Sequence, residues 1–171
     1  MMNNGKPWDK TTDNFWQNHN ILSAVWDINE HWNTMASLHY THGYGYYKEF
    51  RYYNKIKKLG LPNPTFSDMS GVKRTDWVRK KGLKQDTYGI VWNLNYKDND
   101  WDVIGGLSVQ QFDGNHFGYI TYLSNDKLRN LLMSDGDYRS YDSDANKFDG
   151  SAFIKALYRL SDSWDAFADM Q

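Results

Sequence analysis

Five histidines and an acidic set of 19 Asp against 2 Glu supply most of the groups that could do chemistry in this 171-residue chain. His39 and His42 lie three apart, and His116 follows Asp113 in the run DGNHFG. Imidazole with carboxylate would suit zinc or copper. His39 and His42, however, point to opposite faces of an ideal strand, and the spacing matches no strong ligand signature. No metal site is expected, and these side chains read as hydrogen-bonding groups at a rim. The stretch DGDYRSYDSDANKFDG, Asp135 to Gly150, invites a calcium reading, with Asp142, Asp144 and Asn146 at the first three liganding positions of an EF-hand loop. Lys147 then stands where Gly is needed and Phe153 where Glu is needed. A solvated, turn-rich loop is the reading, with a looser calcium site as the alternative. There is no nucleophile elbow, phosphate-cradling glycine loop or helical His-Glu pair. With Cys at 0, thiolate metal sites, disulfides and a cysteine nucleophile are excluded. No enzymatic activity and no cofactor are expected.

Two segments carry opposite charge. From Lys48 to Lys84 there are eleven Lys/Arg against Glu49, Asp68 and Asp76, beside Tyr44, Tyr46, Tyr47, Tyr52 and Tyr53. From Asp113 to Asp149 there are seven Asp against Lys127, Arg129, Arg139 and Lys147. Basic charge interleaved with aromatics can bind nucleic acid. It serves equally to attract an anionic ligand or an anionic membrane surface. The preferred reading packs the two oppositely charged segments on one another, with ligand capture next and no nucleic-acid partner.

The elements that would position these groups are strands. Alternation of period two runs through Trp32, Thr34, Ala36, Leu38 and Tyr40; through Tyr88, Ile90, Trp92, Leu94 and Tyr96; through Trp101, Val103, Gly105, Leu107 and Val109; and through Ala152, Ile154, Ala156 and Tyr158. An earlier strand covers Phe15 to Trp26 and a last one begins near Trp164. One helix is expected over Asn125 to Ser134. Connections alternate between tight polar turns (DINEH, KDND, RLSDS) and long loops over about 43–76 and 114–150. Gly43 and Gly45 read as loop flexibility, and Gly105 and Gly106 as close approach of backbones.

Composition agrees. Leu, Ile, Val and Phe make up 34 of 171 residues, while 8 Trp and 13 Tyr bring aromatics to 17%. Mean hydropathy is -0.83, and no run reaches the ~20 apolar residues of a membrane-spanning helix. With neighbouring strands paired, Trp26, Trp32, Tyr96, Trp101, Tyr158 and Trp164 fall in one band at the short-turn end. Amphipathic rings favour a membrane–water interface. Short turns at one end, long loops at the other and an aromatic girdle are the pattern of an outer-membrane β-barrel. A soluble β-sandwich plugged by Trp is the alternative.

The stretch HYTHGYGYYKEFR, His39 to Arg51, resembles barrel segments of TonB-dependent outer-membrane receptors, especially those of Bacteroides-type bacteria. So do DWVRKKGLKQDTYGIVWNLNYK from Asp76, GGLSVQQFDGNHFGYITYL from Gly105, LYRLSDSWDAFADMQ from Leu157 and NFWQNHNILSAVWDINEHW from Asn14. The resemblance covers about residues 14–171. It implies a receptor that captures ligand on long outside loops and works in nutrient uptake, with outer-membrane lipid around it and TonB as a partner through parts of the receptor outside this chain.

The expectation is therefore an all-β, antiparallel up-and-down sheet of about six strands, a partial outer-membrane β-barrel with two long loops. A flexible segment over 1–13 precedes the barrel domain, 14–171. Six strands are fewer than the eight of the smallest membrane barrels, so the chain is expected to be an internal piece of a longer exported protein of the outer membrane. The ligand, a small molecule or oligosaccharide, is expected to touch the loop-base groups His42, Tyr44, Tyr46, Tyr47, Asp113 and His116. The competing expectation is a soluble secreted β-protein that binds carbohydrate through exposed Tyr and Trp.

Overall fold

The computed structural model describes residues 12–60 and 72–171, together with the backbone of 2–3 and 6–7. Most of the segment expected to be flexible, 1–13, lies outside the described residues. Its backbone at 2–3 and 6–7 forms two short paired strands, β1 (Met2–Asn3) and β2 (Lys6–Pro7). The remaining strands are β3 (Asp13–Asp27), β4 (Trp32–Lys55), β5 (Arg74–Lys97), β6 (Trp101–Leu123), β7 (Tyr138–Ser161) and β8 (Trp164–Met170). They form one six-stranded sheet in the order β3-β4-β5-β6-β7-β8. The fold is all-β, antiparallel and up-and-down. Among the described residues the sheet is not closed, and the outer edges of β3 and β8 pair with no further strand.

The tight turns form for a local reason. The side-chain oxygen of Asn29 accepts the backbone N–H groups of His31 and Trp32 at 2.9 and 3.0 Å. Asp98 does the same for Asp100 and Trp101 at 2.9 and 2.7 Å. Such Asx turns replace the ladder bonds that the reversing chain gives up. The phenol of Tyr96 also donates to Asp98, and with the Trp101 and Asp100 amides it holds that carboxyl below its ordinary value.

The long loops are shorter than the sequence suggested. Strand structure continues through 43–55, 74–76, 114–123 and 138–150, so the connections occupy only 56–73 and 124–137. The stretches expected to be loops are rich in Tyr, Lys and Arg and lack apolar alternation. Their backbones still pair, and aromatic rings carry the cations of adjacent strands: the Lys80 ammonium sits 4.1 Å from the centre of the Tyr46 ring. Gly43 and Gly45 accordingly lie inside β4 rather than in a loop. Of the other pair, only Gly106 is confined, by the Phe153 ring; a side chain at Gly105 would meet nothing closer than 3.8 Å.

The chain divides into two compact units: one of Met1–Gln17, Gly43–Gln85 and Gly114–Ala145, the other of Asn18–His42, Asp86–Asp113 and Asn146–Gln171. The first unit holds the buried core. A 3₁₀ turn (Ile56–Leu59) and a helix, α1 (Asp126–Leu132), bring Ile56, Leu59 and Leu128 against Trp77, Ile120 and Leu123. Helix α1 starts where Asn125 caps it, accepting the Leu128 N–H at 3.1 Å. The two charged segments do meet in this core, but through apolar side chains. Among the described residues no ion pair joins them: Glu49 pairs with Arg51 and Arg79 on one side, and Arg129 with Asp126 and Arg139 with Asp142 on the other. Apolar contact takes the place of the expected electrostatic packing, and among the described residues the only cations of the basic segment in ion pairs are Arg51 and Arg79.

Candidate functional site

In the second unit, cross-strand contacts sort the side chains by face. Trp32 packs on Tyr96 at 4.8 Å and Trp101 on Tyr158 at 4.5 Å between ring centres. Tyr40 donates to Asp86 at 2.7 Å, and Tyr88 to Asp113 at 3.2 Å. All lie on one face. The other face carries Ser23 on Ser37, His19 on Thr41, Asn95 on Asn33, Lys97 on Asp102 and Lys155 on Asp169. Strand alternation assigns the residues in between. On the first face no Asp, Glu, Lys or Arg occurs over 18–26, 32–40, 88–96, 101–109, 146–158 or 164–170. Many of its apolar side chains stay in the open, among them Leu22, Trp26, Leu38, Ile90, Ile154 and Met170.

This apolar face has a polar line along one border. The Asp86 carboxylate accepts from the Tyr40 phenol and contacts His42 Nδ1 at 2.7 Å. The Asp113 carboxylate accepts from Tyr88, from Gln111 at 3.1 Å and from Asn146 at 2.9 Å. Tyr40 and Tyr88 thus form a second aromatic row. Its members lie eight residues along the strand from Trp32 and Tyr96, which form the first. Eight residues span about 26 Å along a strand, or about 20 Å across a bilayer at a tilt of about 40°, close to the ~25 Å apolar band of a membrane barrel.

In the first unit, Tyr46, Tyr47 and His116 line a cleft of about 300 Å³ with Phe15, Lys81 and Tyr141. Glycine makes room for it: a Cβ at Gly45 would come 2.5 Å from the Phe15 ring, which lies over the bare backbone. Lys81 reaches to 6.0 Å from the Tyr47 ring. Two residues farther along the same strands, Glu49 receives Arg79 at 2.5 Å and Arg51 at 2.6 Å. Burial alone would raise the Glu49 carboxyl. Hydrogen bonds and charge from Arg79 and Arg51 outweigh it and hold the group below its ordinary value. A carboxyl lowered in the folded state contributes stability above its unfolded value and loses it as pH falls through the folded one. The expected result is a wild-type unfolding midpoint that drops below about pH 4. In Glu49→Gln this acid limb is flattened, and stability at pH 7 is lower by about 1–3 kcal/mol. Urea titrations of both proteins at pH 7 and pH 3.5 check this.

The expected contact residues are therefore distributed as follows. Tyr46, Tyr47 and His116 share the cleft. Tyr44 stacks on Phe117 at 5.9 Å and lines a separate hollow with Lys80, Tyr119 and Arg139. His42 and Asp113 sit on the polar border of the second unit, each engaged by neighbouring side chains. Phe15, Lys81 and Tyr141 escaped the sequence reading because each comes from a different strand, with no shared spacing to mark it. Asp142 and Asp144 of the calcium-like run are strand residues of β7, and both accept from Asn115 at 2.7 Å. Among the described residues, no group of three or more His, Cys, Asp or Glu is placed to hold a metal ion. No family model matches the chain, and no curated protein matches it in sequence.

Proposed function

We propose that this chain is a stretch of an outer-membrane β-barrel receptor of the TonB-dependent kind, part of a longer protein that captures a ligand and passes it inward for nutrient uptake. The charge-free, solvent-exposed face of the second unit carries the reading. Soluble monomers rarely expose a contiguous apolar patch beyond a few hundred Å², and here the apolar side chains run across successive strands between two rows of aromatics. Lipid would cover that face, and the mixed polar face opposite it would line the lumen. The two sheet edges that stay open among the described residues favour the same reading, since further strands of a larger barrel would cover them.

Refolding from urea tests it. The chain is expected to regain β-sheet circular dichroism in dodecylmaltoside micelles and to aggregate when the urea is diluted into buffer alone. A folded monomer in detergent-free buffer would overturn the barrel reading and favour a soluble β-protein that binds carbohydrate.

A further inference from the structure

We infer that the cleft of the first unit binds a carboxylate carried on a ring with an apolar face. This names the ligand class of the capture site proposed above and rests on that reading for its biological setting. The binding itself is independent of the membrane. Three aromatic rings, those of Phe15, Tyr47 and Tyr141, line the cleft and offer faces for stacking. Lys81 and His116 line it as well. Among the described residues Lys81 makes no ion pair, and neither His116 nor the Tyr47 and Tyr141 hydroxyls make a side-chain hydrogen bond. The polar border of the second unit is different, because there each carboxylate already serves two or more neighbours. Glu49, on the neighbouring strand β4, is taken by two guanidinium groups. Among the described residues Lys81 is thus a cation in no ion pair, set beside aromatic rings.

A bare inorganic anion would use the ammonium and leave the rings idle. A neutral ring would use the rings and leave the ammonium idle. Asp13, also on the lining, opposes negative charge in proportion to its size, which favours the single charge of a carboxylate over a phosphate dianion. A single carboxylate on a ring satisfies the charge and the aromatic surface together. Charge-assisted hydrogen bonds are the stronger kind, so the acid group sets affinity and the rings set selectivity.

The test is calorimetric titration of the full chain, in whichever medium holds it folded, with benzoate, benzamide and acetate. Benzoate is expected to bind saturably, and benzamide and acetate each about tenfold more weakly. Lys81→Gln should weaken benzoate about tenfold and leave benzamide unchanged, whereas Tyr47→Ala should weaken both. Unchanged near-ultraviolet circular dichroism would show that each variant is folded. Equal binding of benzoate and benzamide, no binding of benzoate, or a folded Lys81→Gln that binds benzoate like the wild type would overturn the inference. Failure of the barrel reading would show separately, as folding without detergent.

Discussion

Arginine at Ile154 is expected to destabilise the chain in a lipid bilayer by about 2–4 kcal/mol, the cost of a cation near the middle of the apolar band. Arginine at Leu157 should cost less than about 1 kcal/mol. Both positions hold aliphatic side chains on β7, three residues apart, and both are open to solvent at 47% and 38%. They differ in face. Ile154 shares the charge-free side with Tyr158, while Leu157 shares the side of Lys155 and Arg159 and lies opposite Phe167 of β8. Near the surface of a water-soluble protein, two such exposed substitutions fall within about 0.5 kcal/mol of wild type. Urea unfolding of the two variants refolded in phosphatidylcholine vesicles, followed by tryptophan fluorescence, separates these cases. Equal, small effects would remove the physical basis for placing lipid on that face.

Trp77→Ala is expected to cost about 3–5 kcal/mol, the range for deleting a large buried aromatic. Trp77 is 2% exposed and packs with Ile56, Leu59, Ile120, Leu123 and Leu128. These residues come from a 3₁₀ turn, strand ends and a helix, and the cluster is the apolar contact they share. Its loss should therefore release both connections of the first unit together. The indole Nε1 is buried and makes no hydrogen bond among the described residues. Trp77→Phe keeps most of the volume and removes that unpaired N–H, so it should cost less than about 1 kcal/mol. Equilibrium urea curves of the two variants give both numbers. A Phe variant as damaged as the Ala variant would show that the indole N–H makes a stabilising bond.

Much of the second unit was legible in the sequence. Strict alternation over 32–40, 88–96 and 101–109 marks strands by itself, because a side-chain period of two fixes which residues share a face. The turns were equally plain, since Asn29 and Asp98 stand where a side-chain oxygen can take two following amides. Helix α1 was visible from Asn125 and the spacing of its leucines. The ends of the long strands were hidden. Residues 43–55 and 138–150 carry charge and tyrosine on both faces, so their pairing leaves no periodic trace.

The site divides along the same line. Tyr46, Tyr47 and His116 could be picked out as residue types near a loop base, but their cleft depends on Phe15 lying over Gly45 and on Lys81 two strands away from Phe15 in the sheet order. No local spacing encodes such a meeting. His42 and Asp113 show the reverse: the right types for a ligand site, drawn into a border by Asp86, Tyr40, Tyr88 and Asn146. By itself, then, the sequence determined the strand order, the turn chemistry and the charge-free face, because each is set by residues adjacent or alternating along the chain. Only the tertiary structure decided how far the strands extend, that the two charged segments meet through apolar contacts, and which side chains share the cleft. Those outcomes depend on cross-strand register and on burial, and residues distant in the chain set both.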